Sequence, residues 1–201
     1  MKKNFLLLLF LFSCFNFTLG GEMHLTCPDD DFIRLLNSRK SIRNFTGNQI
    51  TKKQISYIMY SAGGITSRGN RTAPSAGALY PLMIYIYAKN VESLKKGLYF
   101  YNPYKNSLVT TKEGDFTETL TGACLNQQSV RNASLSIIIV YDKQRMEHKY
   151  RNRSLKYACL EAGHISQNIL LAVTKLNLGA VPIGAFRDAE ILSLLSLDTS
   201  K

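Results

Sequence analysis

Apolar and polar positions along this chain follow two periods, and the switches between them mark out its elements. Phe32, Leu35 and Leu36 share a helical face over about residues 29–37, with acidic residues at the start, where they favour the positive end of the helix dipole. A second helix begins after Thr51. Thr51 and Gln54 have capping-box spacing, Ile50 and Ile55 form a hydrophobic staple, and Ile55, Ile58, Met59 and Ala62 make the stripe that Gly63-Gly64 ends. Residues 82–88, 98–101 and 107–111 read as strands, the last two joined as a hairpin across Asn102-Pro103-Tyr104-Lys105. Residues 134–141 contain the unbroken run Ile137-Ile138-Ile139-Val140, which suits a strand buried on both faces at the centre of the sheet. A long helix follows over about residues 154–177, with Leu155, Cys159, Ala162, Ile165, Ile169, Val173 and Leu176 as its stripe and Gly179 beyond its end. Residues 180–185 read as a strand, and Asp188 as the cap of a last helix through Leu195. Helices mixed with antiparallel strands predict an α+β fold whose central, mostly antiparallel sheet is flanked by helices.

The N-terminus departs from both periods. Lys2 and Lys3 precede an apolar run from Phe5 to Phe12, and small or polar residues follow at Ser13, Cys14 and 18–21, the layout of a signal peptide over residues 1–20. The run is shorter than the ~20 apolar residues a membrane-spanning helix needs, so the reading is export to a bacterial periplasm or cell envelope. Leu11-Phe12-Ser13-Cys14 resembles a lipobox, with a lipid anchor on Cys14 as the alternative to plain cleavage after Gly20. Residues 21–201 carry no linker or internal repeat and read as one domain. Of the cysteines at 14, 27, 124 and 159, Cys159 lies on an apolar stripe and reads as a buried core thiol. Cys27 and Cys124 are able to pair outside the cytoplasm, but no spacing marks a disulfide framework. The formal charge of +11 falls to +9 without Lys2 and Lys3, and its cations are scattered with no nucleic-acid motif, so nucleic acid is not an expected partner. His24-x-x-Cys27 lacks a second ligand pair, and no metal is expected.

Two segments carry candidate chemistry. In Pro74-Ser75-Ala76-Gly77-Ala78-Leu79-Tyr80-Pro81, small residues leave a backbone that a flat ligand approaches closely, with the Ser75 hydroxyl and the amides as donors. Arg39-Lys40-Ser41-Ile42-Arg43 gathers three cations and a hydroxyl, which suits a phosphate; taken alone, the plainer reading is a basic helix terminus. No nucleophile triad, P-loop or dinucleotide fingerprint is present.

These segments, taken in order with Arg71-Thr72-Ala73, with Glu161-Ala162-Gly163-His164-Ile165-Ser166-Gln167-Asn168 and with residues 179–186, resemble the nitroreductase superfamily. Within it they resemble the SagB-type dehydrogenases, flavin enzymes that oxidise azoline rings to azoles in peptides. The likeness runs from about residue 32 to 198. It implies an FMN-dependent oxidoreductase passing hydride between a reduced donor, NAD(P)H among them, and a small organic or peptide-derived substrate, with active sites at a homodimer interface. By that resemblance Arg39, Lys40, Ser41 and Arg43 would hold the flavin phosphate and ribityl chain. Ser75, Ala76, Gly77, Ala78 and Leu79 would line the isoalloxazine ring from the partner subunit. Ile183 and Gly184 would bring backbone amides to the reactive flavin edge. Lys149 and Tyr150 match the pair that removes a substrate proton in azoline dehydrogenases; the plainer reading is an exposed lysine and a packing tyrosine in the basic segment 145–153. His164 reads as a packing residue. Relatives continue past the position of Lys201, so the resemblance implies a nitroreductase-like fold without the family's C-terminal strand and with weakened flavin binding. Two other readings are a peptide azoline dehydrogenase and a non-catalytic exported flavin-fold protein or lipoprotein.

Overall fold

Four antiparallel strands organise the chain: β1 (Leu82–Ala88), β2 (Gly97–Asn102), β3 (Ser107–Glu113) and β4 (Leu135–Tyr141), in the spatial order β3-β2-β1-β4. The computed structural model describes residues 23–197. The signal-peptide reading, the candidate lipid anchor at Cys14 and the C-terminal residues from 198 lie outside them. β1 places Tyr85 opposite Phe100 of β2 and Ile138 of β4, and its alternation sorts side chains to two faces. Leu82, Ile84, Ile86 and Ala88 enter a core with Ile55, Ile58 and Met59 of α2 (Lys52–Gly63) and Ile165 and Ile169 of α6 (Ser154–Lys175). Tyr85 and Tyr87 enter a second core with Leu120 of α3 (Thr117–Ala123) and Ile191 and Leu194 of α7 (Asp188–Leu194). The remaining helices are α1 (Asp31–Ser38), α4 (Gln128–Asn132) and α5 (Gln144–Tyr150). Among the described residues no helix is long and apolar enough to cross a membrane.

Helix starts follow local chemistry. Asp30 accepts the Ile33 N–H at 2.9 Å to open α1. The capping box of α2 is complete: the Gln54 N–H donates to Thr51 Oγ1 at 3.2 Å, and the Thr51 N–H to Gln54 Oε1 at 2.9 Å. Ile50 packs against the core that contains Ile55, consistent with a staple.

Several expectations need correction. Among the described residues β4 is an edge strand, not the sheet centre: it pairs there with β1 alone, and Ile137, Ile138 and Ile139 are only partly buried. β1, bonded along both edges, is the buried strand. Residues 180–185 form no strand. Ser41 and Ala180 make a single parallel bridge, and Pro182, which lacks an N–H, follows at once. In α6 the buried side chains are Ser154, Ala158, Glu161, Ile165, Ile169, Ala172 and Val173, so Leu155 is 61% exposed and Cys159 is exposed rather than a core thiol. His164 is likewise exposed. Cys27 and Cys124 are both free thiols. Asp188 lies inside the first turn of α7, after Arg187, and does not cap it.

Candidate active site

The small-residue loop is a strained turn held from several sides. Ala76–Ala78 form one 3₁₀ turn, with Ala78 N–H donating to Ser75 O at 3.1 Å and Leu79 N–H to Ala76 O at 3.3 Å. Gly77, Ala78 and Tyr80 all have left-handed backbone, with φ of 59°, 53° and 49°. Tyr80 fixes the far end. Its N–H donates to Ser75 Oγ at 2.9 Å, its hydroxyl accepts the Arg71 N–H at 3.4 Å, and the Arg71 guanidinium lies 4.7 Å from its ring centroid. Arg145 of α5 donates to the Tyr80 carbonyl at 3.4 Å. The Ser75 hydroxyl, expected to be open to a ligand, is therefore turned into the loop. Among the described residues the N–H groups of Ser75, Ala76 and Gly77 have no acceptor, so backbone donors are what this segment offers.

Lys149 and Tyr150 reach the same place. A Cβ built on Gly77 would lie 2.6 Å from Lys149 Nζ and 2.8 Å from Tyr150 OH, so both tips occupy space that any side chain at 77 would claim. α5, which carries both residues, stops at Arg151, itself left-handed at φ 47°. The Tyr150 ring packs against Tyr157 of α6 with centroids 4.6 Å apart, and Lys149 Nζ lies 5.6 Å from the Tyr150 centroid. A flexible ammonium and a phenol braced by a second ring thus meet over an exposed glycine backbone.

A second ledge carries the other predicted residues. The Ile42 N–H donates to Ala180 O at 2.9 Å, and Gly179 packs so tightly on Ile42 that a Cβ there would come within 2.9 Å of Ile42 Cγ2. Arg39, Lys40, Ser41 and Arg43 are thereby joined to the segment that contains Ile183 and Gly184. Among the described residues Arg39, Lys40 and Arg43 make no ion pair, and the Ile183 and Gly184 amides have no acceptor. Arg34, by contrast, pairs with Asp29 and Asp31. No hydrogen bond or ion pair among the described residues links this ledge to the loop of Ser75, Ala76, Gly77, Ala78 and Leu79.

Glu161, near the loop, has a place in the sequence motif but no role predicted from it. It is 3% exposed, its Oε2 has no hydrogen-bond partner, and burial raises its pKa, opposed by the Ser75 hydroxyl and the Arg71 charge. A signal is there: Glu161 is three residues after Ala158 and four before Ile165, a lone acid on the buried face of a helix. Among the described residues no cluster of three or more acidic, histidine or cysteine side chains is built to hold a metal.

Residues 36–201 match the model of the nitroreductase family. The chain belongs to that family. It is 36% identical over 183 residues to the nitroreductase-family protein MJ1384 of Methanocaldococcus jannaschii, covering 89% of this chain and 92% of that one. It is 24% identical over 160 residues to the microcin B17-processing protein McbC of Escherichia coli, covering 75% of this chain but only 58% of McbC. A nitroreductase-family structure from Ralstonia eutropha superposes with a TM-score of 0.73 at 27% identity, over 87% of this chain and 81% of that one. Another, from Desulfovibrio desulfuricans in complex with FMN, superposes with a TM-score of 0.61 at 22% identity, over 87% of this chain and 81% of that one. The α+β fold is thus that of the nitroreductases, and the chain is a nitroreductase-family oxidoreductase.

Proposed function

We propose that the chain binds FMN and transfers hydride between a reduced donor such as NAD(P)H and a small organic or peptide-derived substrate, as an exported homodimer. The observation that carries this reading is the meeting of Lys149 Nζ and Tyr150 OH on Gly77, in a loop with three unpartnered amides. The residues suit a flavin. The missing Cβ of Gly77 lets Lys149 Nζ and Tyr150 OH come down onto the main chain beside the free loop amides, and the unpaired cations Arg39, Lys40 and Arg43 suit a phosphate. Ile183 and Gly184 offer free backbone amides to the ring's polar edge. Bound FMN supplies the two-electron chemistry, gaining or giving a hydride at the substrate carbon.

The chain's own residues would then manage the proton. Tyr150, braced by Tyr157, holds a hydroxyl at the substrate face, and Lys149 beside it takes or supplies a proton through that hydroxyl or directly. A dimer is supported by the apolar side chains left exposed on adjoining helices: Phe32 at 59%, Tyr57 and Tyr60 each at 42%, and Leu155 at 61%. It is also supported by the separation of loop and ledge, which would meet across two subunits. The leader-like residues 1–20 support export, with Cys14 as a candidate lipid site.

The Lys149–Tyr150 pair favours a second reading, azoline-to-azole oxidation, since simple flavin reduction chemistry needs no such pair. The test uses FMN-loaded protein with K149A and Y150F, assayed for NAD(P)H-driven reduction of a nitroaromatic and for oxidation of a thiazoline-containing peptide. We expect the double variant to lose about 100-fold in peptide oxidation and to keep reduction of the nitroaromatic. Equal peptide oxidation in wild type and variant contradicts the azoline reading, and absence of both activities in wild type contradicts the enzyme reading.

A further inference from the structure

Glu161 is a buried acid for which neither the fold nor the chemistry above has a use. It lies on the inner face of α6, 3% exposed, with Oε2 unpartnered. An apolar side chain at that point of the core would avoid burying an unsatisfied polar group. The groups that act on it are Ser75 and Arg71, and both belong to the clamp around Tyr80. Ser75 Oγ receives the Tyr80 N–H, which leaves the Ser75 hydroxyl hydrogen to point elsewhere, and the Arg71 guanidinium covers the Tyr80 ring. Between them lie three left-handed residues within four positions, Gly77, Ala78 and Tyr80. Such backbone persists only where its surroundings over-determine it.

We propose that Glu161 is a positioning residue for the loop from Ser75 to Leu79, tying it through Ser75 and Arg71 to a 22-residue helix so that the amides of Ser75, Ala76 and Gly77 stay available to the cofactor. The cofactor half of this statement rests on the flavin reading. The anchoring half concerns the flavin-free chain alone. Glu161 touches no reacting atom, and its effect passes through the loop it holds.

Amide hydrogen exchange across residues 75–80 of flavin-free protein, followed by FMN titration, separates the two halves. Three proteins are compared: wild type, E161Q and E161M. Methionine fills the same space without a hydrogen-bonding oxygen, so E161M is expected to fold with its melting temperature kept or raised. The expectation is that E161M speeds exchange of the loop amides about tenfold, the size of one lost hydrogen bond to a buried group, and weakens FMN to a similar degree. E161Q, which keeps an acceptor oxygen, is expected to stay within about twofold of wild type in both. Unchanged loop exchange in E161M overturns the proposal. So does equal loosening of loop and α6 in both variants, which would make Glu161 a packing residue only. If wild type fails to bind FMN while E161M alone loosens the loop, the anchoring holds and the flavin reading falls.

Discussion

Asp115 and Glu161 belong to opposite faces of one sheet, and the fold treats their carboxyl groups in opposite ways. Asp115 is at the aromatic face, where Lys96 lies 2.7 Å away, Tyr87 OH donates at 2.8 Å and the Thr117 N–H at 2.9 Å. Lys96 first, and then Thr117 and Tyr87, hold its carboxyl far below the usual carboxylate range. Glu161 is at the aliphatic face with one oxygen unsatisfied, and burial pushes its pKa up. The first arrangement is what structure alone calls for: a charge left half in water, with every contact favourable, fastening the start of α3. The second is destabilising, and the groups that act on it, Ser75 and Arg71, are those that hold the strained loop where Lys149 and Tyr150 meet Gly77. Unfavourable local choices kept together in one place mark where function constrains a fold.

The sharpest way to break this contrast is at Gly77. G77A would put a methyl where Lys149 Nζ and Tyr150 OH now lie, on backbone that its neighbour Ala78 already tolerates at φ 53°. FMN-dependent turnover is expected to fall about tenfold or more, since misplacing reacting groups by about 1 Å is enough for that. Stability is expected to fall by only about 1–2 kcal/mol from the left-handed alanine. Calorimetry beside steady-state kinetics measures both, and an unfolded G77A or an unchanged turnover would break the comparison.

A smaller, paired effect appears in pH-dependent melting. Because the folded pKa of Glu161 is raised, folding holds its proton more tightly than the unfolded chain does. That contribution is fully present below the unfolded carboxyl pKa and is lost as pH rises through the folded value. E161Q has no such proton, so its stability relative to wild type should climb over that window. Asp115 runs the other way: its contribution is present above the unfolded carboxyl pKa and lost as pH falls through the lowered folded one. D115N should therefore lose roughly 1 kcal/mol near neutral pH, a modest figure for partly exposed contacts, and the difference should shrink in acid. D115N is also expected to leave FMN affinity unchanged. Slopes of the same sign in the two variants would remove the distinction between the faces.

Much of the frame is legible in the amino-acid sequence. The capping box at Thr51 and Gln54 and the strands from Leu82 to Glu113 carry local signals that tertiary packing has no reason to override. Three short helices leave no such signal: α3, α4 and α5 have seven, five and seven residues, too few for a helical stripe to show. β4 is recognisable as a strand but not as an edge, because an apolar run reports two apolar faces and neither how fully they are covered nor which side is paired. The apolar stripe on α6 runs true through Ile165, Ile169 and Val173 and is one position off at its start. There the buried face is Ser154, Ala158 and Glu161, which a search for large apolar residues passes over in favour of Leu155 and Cys159. In the candidate site, Gly77, Lys149 and Tyr150 are each visible as residues with a use. Their meeting is not, because it depends on how α5 returns from the edge strand. Glu161 is hidden by the same property that makes it informative, a charge where the pattern calls for none.

The central claim is that the loop around Gly77 and the ledge of Arg39, Lys40, Ser41 and Arg43 together form an FMN site. An ultraviolet–visible spectrum of the purified protein, refolded with excess FMN and desalted, tests it most directly, because oxidised flavin absorbs where the polypeptide does not. The account predicts retained flavin absorbance in near-stoichiometric amount and a higher melting temperature than the flavin-free protein. A colourless protein whose melting temperature is unmoved by FMN would contradict it.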